Sequence, residues 1–272
     1  MEENRYSLTC FAPTIASVSD VEAPKQNEGT VVEEILSLVR EKTGADTVQK
    51  LLLYNPDAIG EFFFHRYEEK IFAPLVEATD LQVKFLSPVP PKTPVCFGTM
   101  YSGCSPDVHG IHKYEKPVLT VDTLFDSWAR SGKKVALISK GGQSIPLIFA
   151  NRNIDYFITS GDFQSVDKAI ELMQNSDYDV IEVYNQEYDD MLHVTHPRSF
   201  FCKRAARHYV ASYARLTEAV KTYWKDYTVL TSFSPDHGAH RIGGILNGSH
   251  GIDAPIDRHI VHFFSVYGGK NE

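Results

Sequence analysis

Leu51-Leu52-Leu53-Tyr54-Asn55-Pro56-Asp57-Ala58-Ile59-Gly60 is an apolar run that hands over to a carboxylate. The chain repeats this pattern twice: residues 180–184 lead to Asp189, and residues 229–234 lead to Asp236. Strand-like runs are predicted at 50–55, 82–86, 134–139, 155–159, 180–185, 228–233 and 259–266, with helical patterns at 31–41, 61–78, 120–130, 166–174 and 198–224. Such alternation predicts an α/β fold with a mainly parallel central sheet flanked by helices. Open sheets bind ligands outside the carboxyl ends of their strands, so the three carboxylates are expected to share one site. No repeat, low-complexity tract or linker breaks residues 1–272, which read as one domain, and the polar stretch 19–29 reads as a loop.

Imidazoles accompany the carboxylates. Ser234-Pro235-Asp236-His237-Gly238 is followed by Asn247-Gly248-Ser249-His250-Gly251, and Glu187-Tyr188-Asp189-Asp190-Met191-Leu192-His193 lies upstream. Three Asp and three His suffice for two divalent ions, and mixed oxygen and nitrogen donors suit zinc or manganese. Adjacent Asp236 and His237 would face opposite ways in a strand, so they share a site only where the strand has ended, as Pro235 and Gly238 suggest. Asp189 and His193 share an ion if the turn between them curls back. Taken singly, each motif also reads as a surface pair, a turn or a loop. The co-location of all of them after strands argues for a site.

A chain of 272 residues that is 43% hydrophobic can bury a substantial core. No apolar run approaches the roughly 20 residues that cross a bilayer. Met1-Glu2-Glu3-Asn4-Arg5 is not followed by a signal-like apolar stretch. Cys10, Cys96, Cys104 and Cys202 form no close pair, so a cytoplasmic protein with reduced thiols is expected. A formal charge of −8 argues against a nucleic-acid surface. Two bound cations would make the site electropositive, so a small anionic substrate remains compatible with the acidic chain.

The nucleophile is sought around Lys92-Thr93-Pro94-Val95-Cys96. Thr as N-cap with Pro at the first helical position is a favoured helix start, where a hydroxyl meets the positive end of the helix dipole. From these residues alone, Thr93 is either a helix cap or a nucleophile. The ordered set Asp57, Lys92-Thr93, Ser102-Gly103-Cys104-Ser105-Pro106-Asp107-Val108-His109-Gly110-Ile111, Asp189-Xaa-Xaa-Xaa-His193, Asp236-His237-Gly238 and His250 resembles the alkaline phosphatase superfamily. It is most similar to the nucleotide pyrophosphatase/phosphodiesterase and phosphonoacetate hydrolase branch. There a Thr nucleophile precedes a segment ending Thr-Gly-Xaa-Xaa-Pro-Xaa-Xaa-His-Gly-Ile. That register lands on Thr93, with Thr99 second. The resemblance, over roughly residues 50–265, implies that Asp189, His193 and His250 hold one ion. Asp57, Asp236 and His237 would hold the other, with Thr93 bound to it as catalytic nucleophile and His109 ordering the loop after the nucleophile helix.

The implied activity is two-metal hydrolysis of a phosphate ester or nucleotide through a phospho-threonine, with zinc expected and manganese the alternative. A phosphomonoesterase, a phosphonate hydrolase and a non-catalytic phospho-ligand binder are the alternatives. Two departures bear on these. Cys96 stands where relatives often place an Asn that binds a phosphoryl oxygen, and a thiol is a weak donor. Only a short stretch separates His237 from His250, so an alkaline-phosphatase-like core with little or no cap is expected. His259 and His262 are read as residues that pack or hydrogen-bond, and His196 and His240 as neighbours of the ligand motifs that could support them. Lys140-Gly141-Gly142-Gln143-Ser144 lacks P-loop spacing and reads as a turn.

Overall fold

Residues 51–54 form an unbroken apolar run because the strand that carries them is covered on both faces. The computed structural model describes residues 5–243 and 247–268. Its strands are β1 (Tyr6–Ser7), β2 (Lys50–Pro56), β3 (Leu81–Leu86), β4 (Val135–Lys140), β5 (Asp155–Thr159), β6 (Val180–Asn185), β7 (Val229–Phe233), β8 (His240–Arg241), β9 (Gly248–Ser249) and β10 (His259–Tyr267). Strands β8 and β9 form a small ribbon, and the others form a sheet in the order β1-β3-β10-β7-β2-β6-β4-β5. The β7-β2-β6-β4-β5 half is parallel, while β10 runs antiparallel to both β3 and β7. The mainly parallel sheet read from the sequence is therefore present.

Helices α1 (Phe11–Val18), α2 (Glu33–Thr43), α3 (Glu61–Tyr67), α4 (Ala73–Glu77), α5 (Thr93–Ser102), α6 (Pro106–His109), α7 (Leu124–Arg130), α8 (Ser144–Ile148), α9 (Asp162–Asn175), α10 (Glu187–Val194), α11 (Phe200–Tyr223) and α12 (Pro255–Arg258) surround the sheet. Side chains alternate across it with period two. Leu51 and Leu53 join the core under α1, α2, α5, α7 and α8. Leu52 and Tyr54 join the core under α3, α4, α9, α10 and α11.

Several elements differ from the sequence reading, three of them instructively. The helix at 61–78 is α3, a π-helical turn over Glu68–Phe72, and α4. Pro74 has no N–H for the i−4 carbonyl, so the ladder widens there. The helix at 120–130 begins at Leu124, behind a capping box of Thr123 and Asp126. Helix α1 was not foreseen: Phe11, Ala12, Pro13, Thr14, Ile15, Ala16 and Val18 are all buried, so no apolar stripe stands out against a polar face. The region between Ile111 and Tyr188 builds sheet and flanking helices, and among the described residues it contributes no separate cap. Cys10, Cys96, Cys104 and Cys202 are free and buried. No helix among the described residues is long and apolar enough to cross a membrane.

One polar cluster interrupts the core beside the sheet's carboxyl edge. Asn55 Nδ2 donates to Glu182 Oε1 at 2.6 Å and to the Tyr101 hydroxyl at 2.6 Å. Burial pushes Glu182 up to about 8 from an ordinary 4.5. A carboxyl raised in the fold stabilises below its unfolded pKa, and this contribution is lost as pH rises through the folded value. Glu182→Gln should therefore gain on wild type by on the order of 1–4 kcal/mol between pH 5 and 8. Thermal melts across that range check it, and parallel pH profiles for the two proteins would rule the assignment out.

Candidate functional site

The carboxyl edge of the sheet gathers every ligand-type residue picked out in the sequence. Asp57 follows β2, and Asp236 and His237 follow β7 in a non-regular segment, so the strand has ended before them. Asp189 and His193 lie on α10, directly after β6. The expected curled turn is thus a helix, whose i, i+4 geometry puts both side chains on one face.

The six residues form two groups. Asp57, Asp236 and His237 are fully buried, with His237 Nε2 3.5 Å from Asp57 Oδ1 and 3.4 Å from Asp236 Oδ2. Asp189 Oδ1 lies 3.3 Å from His193 Nε2 and 3.5 Å from His250 Nε2. The His237 and His250 rings stack at 4.0 Å between centroids and join the groups.

Backbone carbonyls orient the imidazoles. A carbonyl only accepts, so His237 Nδ1–H donates to Gly238 O at 3.0 Å and His250 Nδ1–H donates to Pro91 O at 3.0 Å. Each ring then keeps an unprotonated Nε2 on the side of the carboxylate oxygens, so nitrogen and oxygen lone pairs converge on one point, which is the arrangement of metal-ligating histidines. Asp57 Oδ1, Asp189 Oδ1 and Asp236 Oδ2 are buried without any hydrogen-bond partner. Orphaned carboxylate oxygens are costly, and one appears in each Asp of the set. Two ligands about 2.0–2.1 Å from a tetrahedral ion stand roughly 3.3 Å apart, close to the separations here. The donor set fits one divalent ion per group.

Burial, then the Asp236 and Asp189 charges, pushes Asp57 well above the usual carboxylate range, and burial pushes Asp236 up as well. His237 is driven down by burial and by His250, and His250 is lowered by burial. Half-exposed His193 goes the other way, raised by its hydrogen bond to Asp189.

Thr93 is the first residue of α5, and Lys92 occupies the cap position. The sequence reading of Thr93 as N-cap is corrected: no side chain caps this helix. Thr93 Oγ1 instead lies 3.2 Å from His237 Nε2 and 3.5 Å from Asp57 Oδ2. Thr99 faces elsewhere, 3.0 Å from His109 Nε2. His109 Nδ1 accepts from the Ile111 N–H, so this residue does order the loop after α5. Cys96 is fully buried and burial raises its thiol, which disfavours a thiolate nucleophile.

Two supporting residues, Tyr184 and Asp257, escaped the sequence reading, and Lys92 was quoted there without a role of its own. The Tyr184 hydroxyl donates to Asp57 Oδ2, and its place at the end of β6 was a signal that could have found it. Asp257 is fully buried; its Oδ2 accepts from Gly251 N at 2.7 Å and Ile252 N at 3.1 Å, while its carbonyl accepts from Gly238 N at 2.7 Å. It therefore ties the segment after His250 to the segment after His237. Lys92 Nζ donates to His250 O at 3.1 Å. His262 hydrogen-bonds, as one of its two readings allowed, donating to Pro235 O at 2.8 Å, while His196 accepts from Arg198 N in an exposed turn.

Gly238 is held where no side chain fits: a Cβ there would lie 2.2 Å from Ile256 O and 3.1 Å from Gly60 Cα. Gly238→Ala is expected to destabilise by about 1–3 kcal/mol through backbone displacement next to His237. Urea unfolding measures this, and a change below about 0.5 kcal/mol, the level of a neutral surface substitution, would contradict the close packing.

No protein-family model matches the chain, nor does any curated protein sequence. Solved structures do match. Murine ectonucleotide pyrophosphatase/phosphodiesterase 5 superposes with a TM-score of 0.56 at 16% identity, over 72% of this chain and 58% of that one. Its human counterpart gives 0.62 at 13% identity, over 80% and 88%. Phosphonoacetate hydrolase from Sinorhizobium meliloti 1021, in complex with phosphonoformate, gives 0.52 at 13% identity, over 71% and 57%. This chain spans less than two thirds of the murine and bacterial proteins. The fold is alkaline-phosphatase-like, as the motif set implied.

Proposed function

We propose that this chain is a two-metal hydrolase of phosphate esters, of the phosphodiesterase and nucleotide pyrophosphatase type, with Thr93 as nucleophile. The observation that carries the reading is the pair of Asp/His groups, each with orphaned carboxylate oxygens, with Thr93 Oγ1 in contact with one of them. Asp189, His193 and His250 would hold one divalent ion, and Asp57, Asp236, His237 and Thr93 the other. When bound, such a pair, zinc or manganese, supplies Lewis-acid stabilisation of phosphoryl oxygens and a lowered nucleophile pKa. Likeness to phosphodiesterase and phosphonoacetate hydrolase structures supports the substrate class. An inactive murine form with a threonine-to-alanine change, in complex with AMP, supports a threonine nucleophile.

In this reading Thr93 loses its hydroxyl proton and its Oγ bonds to phosphorus as the bond to the leaving oxygen breaks. The leaving oxygen takes up a proton, and Thr93 carries the phosphoryl group. Water then attacks the same phosphorus, the Thr93 O–P bond breaks, and Thr93 regains a proton as the monoester departs. Tyr184 steadies Asp57 beside the attacking oxygen. Lys92 follows Pro91 and precedes Thr93 in the chain, and its Nζ on the His250 carbonyl would bring a positive charge to the cluster, which the Cys96 thiol does not.

The test compares a chromogenic phosphate monoester, diester and phosphonate monoester with added Zn²⁺ or Mn²⁺. Diester or phosphonate preference is expected. Metal binding without turnover of any of them would favour a non-catalytic phospho-ligand binder and sink the enzyme reading.

A further inference from the structure

A cleft of about 220 Å³ opens where α3, the α10–α11 connection and the Ala239–Arg241 segment meet, and Phe62, Arg66, Arg198, His240, Arg241 and Ile256 line it. No carboxylate is among its lining residues, although the chain carries a net charge of −8. Arg66 and Arg198 form no ion pair among the described residues. Guanidinium groups suit phosphate because their planar forks donate paired hydrogen bonds. Phe62 is 52% exposed and Ile256 36%, which gives the cleft an apolar wall.

His240 makes this more than a chance meeting of surface arginines. Its Nδ1 lies 2.9 Å from each oxygen of Asp257, a fully buried carboxylate also held by two backbone N–H groups. The ring is thereby fixed, and Nε2 is the nitrogen left for the cleft. His240 follows His237 by three residues, a reach of at most about 10 Å. A residue of the cleft wall and a residue of the Asp/His cluster are therefore neighbours along one short segment of chain.

We propose that this cleft is a subsite for a phosphate group carried on the leaving half of the substrate, with the carbon skeleton of that half against Phe62 and Ile256. The assignment as a leaving-group subsite rests on the phosphodiesterase reading above. Its volume equals roughly seven waters of liquid, enough for a phosphate and its carbon attachment. Substrates with a phosphorylated leaving group would then be favoured over esters with neutral aryl leaving groups.

The test has two arms. In the first, the full-length chain is held in chelator and titrated calorimetrically with AMP and with adenosine. AMP should bind and adenosine should not, and Arg66→Ala/Arg198→Ala should weaken AMP roughly tenfold or more. Both arginines are exposed, and a thermal melt verifies that the variant folds. Equal binding of the two probes, or an unchanged AMP affinity in the variant, overturns the phosphate site. In the second arm, KM and kcat are measured with metal for ATP and for bis(p-nitrophenyl) phosphate. KM for ATP should rise about tenfold in the variant with kcat maintained, a split that a general structural defect would not give. Equal losses on both substrates overturn the leaving-group assignment. If wild type turns over neither substrate, the phosphodiesterase reading fails, and the calorimetric arm still decides the phosphate site.

Discussion

Thr93→Ala is expected to lower turnover of the preferred ester by about 10³-fold or more, on the scale seen when a nucleophile is deleted elsewhere, while bound metal stays at wild-type content. Thr93 Oγ1 meets the cluster through His237 Nε2 at 3.2 Å and Asp57 Oδ2 at 3.5 Å, and removing it leaves three Asp and three His in place. The hydroxyl caps nothing, so its loss should cost the helix little. Thr93→Ser keeps an oxygen at the same atom and should retain far more activity than the alanine variant. Kinetics on the purified proteins, with elemental analysis of the same samples, separates the roles. Wild-type turnover by Thr93→Ala would remove Thr93 as nucleophile. Lost turnover with lost metal would make it a structural ligand instead.

The sheet and the gathering of the Asp and His residues were legible because each rests on a local signal. Runs such as 51–54 and 229–233 are buried on both faces, and the chemistry arrives where they stop. What was illegible depends on contacts distant in sequence. Asp257 looks like any acidic residue after a proline, yet it holds Gly251 and Ile252 and faces His240 from a fully buried position. Tyr184 is one aromatic among many until β6 is placed beside β2, which brings its hydroxyl to Asp57. Thr93 misled at the level of one residue: the Thr-Pro pair suggests a cap, and the helix begins one position earlier because the hydroxyl is engaged by the cluster. Helix α1 was hidden because near-complete burial removes the periodicity that reveals a helix.

Zinc added to chelator-treated protein is expected to raise Tm on the order of 10 °C at pH 8, and by clearly less at pH 5. Saturation at 1,000 times Kd contributes about 4 kcal/mol, and a domain of this size gains roughly 2–4 °C per kcal/mol. The pH dependence follows from the carboxylates. Burial raises Asp57 and Asp236, with the charges of Asp236 and Asp189 adding to it at Asp57 and that of Asp189 at Asp236, so without metal they retain proton where an unfolded Asp, near 3.8, has lost it. Groups raised in this way stabilise at low pH, and their contribution is lost as pH rises above the unfolded value. A divalent cation removes that penalty by replacing the proton, so its stabilising effect grows with pH, and binding should release protons to buffer. His237 and His250 are pushed down and already offer neutral nitrogens at pH 7, whereas His193, raised by Asp189, competes for a proton as pH falls. Asp57→Asn and Asp189→Asn should each reduce bound metal from about two ions to one, since each carboxylate belongs to a different group. A pH-independent shift in Tm would exclude the raised carboxylates as ligands, and loss of both ions from either variant would merge the two groups into a single site.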